Sequence, residues 1–207
     1  ILCIKIKRTM IKKYLKDKLL VALLIGGSVG LFAAFASSVE LTKSLKDPSY
    51  NPLCSINPII SCGSVLDSHQ GFIFGFSNSY LGMIAFSIVL GIVACLFAGA
   101  KLPNWFWKLF LIGISFGFIF ALWLITQSLF VIKNLCIYCM MTWVAISIVF
   151  WYSLLHNLEL KNFGKNKKLA KITEFASKHH VDIFVGWILI IFLLIVWQFW
   201  YYWKTLL

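Results

Sequence analysis

The sequence predicts an all-α membrane protein: a four-helix transmembrane bundle, a fifth transmembrane helix after it, and an outer loop with a half-helix across one end. Three observations carry that prediction. Of the 207 residues, 61% are hydrophobic, and the mean hydropathy is +0.90, whereas soluble domains are close to half apolar. Long apolar runs occupy residues 19–38, 79–98, 105–130, 136–155 and 183–202, and about 20 apolar residues make one helical crossing. None of these runs alternates with the short period that a barrel strand requires. The 17% aromatic content and nine Trp suit a chain with many membrane–water boundaries.

Residues 1–18 form a basic N-terminus. Met10 opens Met-Ile-Lys-Lys-Tyr-Leu-Lys and reads as a natural start, which makes residues 1–9, Cys3 included, an upstream extension without an evident role. The first apolar run is long and lacks a small-residue cleavage signature, so it reads as an uncleaved span. A polar loop, residues 39–78, follows and carries Cys54 and Cys62. Within it Asn57-Pro58 reads as an N-cap with proline at the first helical position. Ile59, Ile60, Val65 and Leu66 then give an apolar face. That predicts a half-helix carrying Cys62 over the membrane surface, with Cys54 in a flexible segment before it.

The second run holds Cys95, read as a small apolar packing residue. A short turn at Pro103 leads into the third, where Gly113 and Gly117 offer a small-xxx-small packing face. Gln127 lies near its outer end and fits either a pocket or the interface. A short loop at Lys133 and Asn134 precedes Cys136-Ile137-Tyr138-Cys139, which opens the fourth run. Residues 19–156 thus form the four-helix core. Residues 157–181 read as a basic loop, with His156, His179 and His180 solvated. Residues 182–207 form the fifth helix, ending in the aromatic belt Trp200-Tyr201-Tyr202-Trp203.

The net charge of +12 is distributed by topology. Lys5, Lys7, Arg8, Lys12, Lys13, Lys16 and Lys18 precede the first span. Lys101 and Lys108 follow the second. Lys161, Lys165, Lys167, Lys168, Lys171 and Lys178 follow the fourth. The other side keeps only Lys43, Lys46, Lys133 and Lys204. The positive-inside rule then places the N-terminus in the cytoplasm and the cysteine-bearing loops outside. With no stacking platform and no basic stripe in a soluble segment, nucleic acid is excluded as a partner.

Both cysteine pairs therefore face the oxidising side, where disulfides persist. In a C-x-x-C at a helix start the two thiols share a face. The helix N-terminus favours a thiolate there. Cys139 would lie about 4.5 Å deeper than Cys136, by helix rise. Cys54 and Cys62 on a mobile loop are suited to exchange through mixed disulfides, first with an external partner and then with the fixed pair. Two other arrangements use the same residues: a Cys₄ zinc site, or static structural disulfides in a non-enzymatic membrane protein. The outward placement, and the short strained ring that a C-x-x-C disulfide makes, favour a relay.

Together these residues resemble the vitamin K epoxide reductase family, particularly its bacterial members that oxidise protein thiols using quinone. The matching features are Cys54 and Ile60-Ser61-Cys62, then Val65, Ser68 and Phe74-Gly75, then Ser77-Asn78-Ser79-Tyr80-Leu81-Gly82, then Cys136-Ile137-Tyr138-Cys139. The resemblance spans roughly residues 15–156. The other bacterial disulfide oxidase, a four-helix quinone enzyme, carries its C-x-x-C in the first outer loop, the reverse of the order here.

The resemblance implies a membrane enzyme that reoxidises a thioredoxin-like periplasmic partner and supports disulfide formation. Cys54 would exchange with that partner, Cys62 would pass electrons to Cys136, and Cys139 would meet the quinone, ubiquinone or menaquinone. It implies a quinone site of Asn78, Ser79, Gly82, Thr142 and Trp143, with the Asn78 amide donating to a quinone oxygen. It implies that Ser68 orders the loop. Helix capping is the structural alternative for Asn78. Trp143 departs from the Tyr that vertebrate members place four residues after the last active cysteine, and indole donates a hydrogen bond but accepts none. Many bacterial members continue from a fifth helix into an external thioredoxin-like domain. This sequence reaches Leu207 without one, so the expected partner is a separate protein or a domain cut away. The implied location is a bacterial inner membrane.

Overall fold

The computed structural model describes the backbone of residues 2–47, 49–66, 68–164 and 167–204. Side chains are described within those segments from residue 18 onward, apart from 167, 168 and 203. Cys3 and the basic side chains of residues 5–16, 165, 167 and 168 lie outside the described side chains.

The protein is all-α and multi-pass. Among the described residues, five helices are long and apolar enough to cross a membrane. They are the part of α1 (Leu2–Lys46) from Lys18 onward, α3 (Asn78–Phe97), α4 (Asn104–Thr126) with its continuation to Ile132, α5 (Ile137–Glu159) and α7 (His180–Gln198). The short helices α2 (Cys62–Leu66), α6 (Lys167–Lys178) and α8 (Trp200–Trp203) occupy the ends. In lipid no water satisfies backbone N–H and C=O groups, so helices that bond internally are the structures such apolar runs permit.

α1 is the central staff, packed along both α3 and α5. Glycines allow that approach. A Cβ on Gly26 would come within 2.8 Å of Val149 on α5, and one on Gly30 within 2.4 Å of the Phe86 ring on α3. α4 packs on α5. At the end away from the cysteines, Asn157 is fully buried and donates to the carbonyls of Trp107 and Ser153, both at 3.0 Å. Its Oδ1 accepts from Asn162 at 2.7 Å.

Several elements depart from expectation. α1 runs on to Lys46, so the polar loop is shorter than predicted and Glu40 lies on the helix. The half-helix begins at Cys62, not after Pro58. Asn57 caps a local turn instead: its Oδ1 accepts from the N–H groups of Ile59 and Ile60 at 3.0 and 2.7 Å. The expected loop at 157–181 contains the final residues of α5 and the whole of α6. His156 is packed edge-on against Trp107 with ring centroids 4.5 Å apart. His180 is buried, paired with Lys18 and bonded to Tyr152 Oη at 3.0 Å. Neither histidine is solvated. Cys95 is exposed on α3 instead of packed. The fifth helix starts at His180 and breaks at Phe199.

Candidate redox site

Four backbone segments converge at one end of the bundle. The link between them is a parallel bridge, Ile60 to Leu135. Ser61 N donates to Leu135 O at 3.0 Å, and Leu135 N donates to Ile59 O at 2.8 Å. Each bridged strand leads directly into a cysteine, Cys62 on one side and Cys136 on the other. The bridge thereby sets the second loop cysteine beside the first cysteine of the C-x-x-C. Cys54, Cys62 and Cys136 share one buried cluster with Leu41 and Leu66, and Cys139 packs against it.

Cys54 and Cys62 form a disulfide, whereas Cys136 and Cys139 are thiols. The loop pair is not a loosely held, exposed one. Cys54 is 4% exposed and Cys62 fully buried. Glu40 holds the preceding segment to α1. Its carboxylate accepts from Leu53 N at 2.9 Å and Tyr50 Oη at 3.1 Å, and faces Lys43 Nζ at 3.5 Å. Sequence reasoning missed Glu40, because the predicted first helix ended before it.

Cys136 is the N-cap of α5, and its Sγ accepts from Cys139 N at 3.5 Å. A hydrogen bond from the Cys139 thiol pulls the Cys136 thiol below its ordinary range. Burial opposes this, and the backbone N–H groups of Cys139 and Tyr138 assist. The helix N-terminus acts in the same direction. Cys136 is therefore the better thiolate of the two positions that the sequence left open. Since Cys54 and Cys62 share a disulfide, this state does not present four thiolates to a metal.

Beside the cysteines lies an apolar cavity of about 620 Å³, bounded by α1, α3, α4, α5 and the 65–79 segment. Of the residues singled out in the sequence, Cys139, Asn78, Ser79, Gly82, Thr142, Trp143 and Ser68 line it. Cys54, Cys62 and Cys136 do not; they form the cluster behind its wall. Asn78 is not the helix cap. Ser77 fills that role, its Oγ accepting from Ser79 N at 3.4 Å. Asn78 Nδ2 donates to Gln70 O at 2.7 Å, while Oδ1 is buried without a partner. Ser79 Oγ accepts from Ser38 at 2.9 Å. A Cβ on Gly82 would approach Ala34 at 3.1 Å, so this glycine brings α3 close to α1. Thr142 Oγ1 is engaged with Tyr138 O at 3.0 Å. Trp143 is 4% exposed. Ser68 Oγ donates to Val65 O at 2.6 Å and closes the turn after α2.

Two features of the cavity escaped the sequence. Gly113 and Gly117 are wall residues: a Cβ on Gly113 would meet nothing within 4 Å. A Cβ on Gly117 would stand in ordinary contact with Ile146 of α5 at 3.6 Å, so only Gly117 faces a neighbouring helix and Gly113 opens onto the cavity. Beyond Thr126 the helix loosens into a π turn, Gln127–Ile132, which Lys133 ends in the left-handed conformation at φ 56°. π turns concentrate at functional sites. This one directs Ser128, bonded to Asn134 O at 2.5 Å, to the cavity wall, while Gln127 does not line it. A lone serine in an apolar run carries no signal of this in sequence.

The sequence model of the Vitamin K epoxide reductase family matches residues 21–154. The match contains all four site cysteines, the bridge and the cavity.

Proposed function

The chain belongs to the vitamin K epoxide reductase family, and on that premise we propose that it carries electrons from a thioredoxin-like thiol protein, through its two cysteine pairs, to a quinone. Family membership makes it a membrane oxidoreductase acting on thiols; the partner, the acceptor and the order of transfer are the proposal. The observation that carries it is the sequence of neighbours: disulfide Cys54–Cys62, then Cys136 in the same buried cluster, then Cys139 on the cavity wall.

The exchange balances as follows. A partner thiolate attacks Cys54, the Cys54–Cys62 bond breaks, and Cys62 leaves as thiolate. The partner's second thiol displaces Cys54, so the partner departs oxidised and the loop pair is a dithiol. Cys62 then attacks Cys136 of a Cys136–Cys139 disulfide and expels Cys139. Cys54 attacks Cys62 and expels Cys136, which re-forms the loop disulfide. The thiols of Cys136 and Cys139 now hold two electrons, the arrangement observed here. They close to a disulfide when two electrons and two protons pass to the acceptor.

The cavity suits a quinone. It is apolar and large enough for an aromatic ring, and the Asn78 amide gives it a polar end, whose Oδ1 can accept from the hydroxyl of the quinol once formed. When bound, a quinone supplies a two-electron, two-proton acceptor. Asn78 would orient it through its amide, with one N–H committed to Gln70 and the other free to donate to a carbonyl. Cys139 lines the same cavity, and the surrounding apolar side chains exclude water, which strengthens such a hydrogen bond. Charge bias supports an outward-facing cysteine end, which in a bacterial inner membrane would meet the side where oxidised partners persist.

The test is anaerobic quinone reduction by purified protein supplied with a reduced thioredoxin-like donor. Two partner thiols should disappear for each quinol formed. Quinone that stays oxidised while the donor is consumed would overturn the acceptor assignment, and no donor oxidation at all would overturn the relay.

A further inference from the structure

α6 lies between two spanning helices, α5 and α7, so both of its ends are tethered at one membrane surface. One side of it is fixed to the bundle. Ala176 is buried, and Ser177 Oγ donates to Glu159 Oε1 at 2.8 Å. At about 100° per residue, Ile172 and Phe175 fall on the strip beside that anchored side. They are 57% and 61% exposed. The next strip carries Lys171 and Lys178 with Glu174 beside them, all exposed, so cations outnumber the carboxylate there two to one.

Large apolar side chains held in the open next to cations, on a short helix linking two spanning helices, match an interfacial amphipathic helix. A protein partner fits less well, because lysine is depleted in protein interfaces. Anionic headgroups instead attract basic segments at the membrane surface. We propose that α6 lies in the membrane surface, with Ile172 and Phe175 sunk among anionic phospholipids whose phosphates meet Lys171 and Lys178. This assigns a lipid-binding surface to a segment that reads in sequence as a solvated loop, and it does not depend on the redox chemistry.

The test uses the full chain with Cys3, Cys95, Cys136 and Cys139 replaced by Ser, reconstituted in vesicles. A nitrobenzoxadiazole label is placed at Ile172→Cys or, as the polar-face control, at Glu174→Cys. The expected result is blue-shifted emission and quenching by brominated lipid at 172 but not at 174. Both effects should be stronger when phosphatidylglycerol is mixed into phosphatidylcholine, and Lys171→Glu with Lys178→Glu should remove that dependence. A label at 172 as wet as the one at 174 would overturn the proposal. Equal burial in both lipid mixtures would overturn the anionic assignment, and burial that rises with protein density would assign the surface to a second copy.

Discussion

Asn78→Leu separates the cavity's chemistry from its stability. The side chain makes one bond that the fold uses, Nδ2 to Gln70 O at 2.7 Å, and it buries Oδ1 without a partner. Losing the first costs about 0.5–1.5 kcal/mol, and removing an unsatisfied buried acceptor returns about 1–3 kcal/mol. Leucine fills a similar volume, so the two terms roughly cancel and thermal unfolding in detergent should move little. Function does not share that cancellation. A hydrogen bond to a carbonyl that gains negative charge as it is reduced contributes about 1.5–3 kcal/mol, which is roughly 10- to 150-fold in rate. Quinone reduction should fall within that range while the exchange of Cys54–Cys62 with a thiol donor keeps its rate. Asn78→Asp should be worse, because it places a second acceptor and a charge in an apolar space. Wild-type quinone reduction in a folded Asn78→Leu protein would refute the argument, as would a loss of both half-reactions together.

Three further outcomes follow from the same contacts. The Cys136 thiol is held low chiefly by the Cys139 thiol, so its alkylation in the reduced protein should begin at lower pH than for an ordinary thiol; Cys139→Ala should shift that profile to higher pH and abolish quinone reduction while loop exchange survives, and an unmoved profile would discount the hydrogen bond. Glu40→Ala removes the acceptor shared by Leu53 N and Tyr50 Oη, worth about 1.5–3 kcal/mol for bonds to a charged group, so dithiothreitol should reduce Cys54–Cys62 about tenfold faster or more, with an unchanged rate counting against the tether. Gly30→Val drives a side chain into the Phe86 ring, already 2.4 Å from an added Cβ; overpacking of this kind costs about 1–3 kcal/mol, so the unfolding temperature should drop and recover partly when Phe86→Leu is added.

What was legible in the sequence is what the membrane enforces. Five apolar runs had to be helices, because lipid leaves an open backbone no other partner, and each is one, with only the first overrunning its expected end by about two turns, to Lys46. The residues that missed were those whose signal has two physical solutions. Asn57-Pro58 fits a helix cap, but the same side-chain oxygen is satisfied by a local turn, so the helix starts later, at Cys62. Gly113 and Gly117 fit a helix contact or the wall of a cavity, and the fold divides them: Gly113 faces open space, Gly117 faces Ile146 of α5. His156 and His180 look solvated beside lysines until Trp107 and Tyr152 are seen to cover them.

The bridge between Ile60 and Leu135 is the most consequential of these. Parallel pairing across so long a separation leaves no local mark, since each strand is a few residues of ordinary loop. The cysteine spacing alone therefore supplied two separate pairs, and the order of transfer between them rested on resemblance. The bridge is consistent with the proposed order. By fixing the residues just before Cys62 and Cys136 to each other, it makes Cys62, rather than Cys54, the natural neighbour of the C-x-x-C. It leaves Cys54 on the side held by Glu40, and the cavity beyond Cys139. A relay running in this direction requires that Cys54 be uncovered before a partner thiol reaches it, because it is buried as long as the Glu40 contacts hold. In the proposed relay the partner's first task would be mechanical: to displace the segment from Tyr50 to Leu53, with the Glu40 carboxylate that holds it setting how readily it yields.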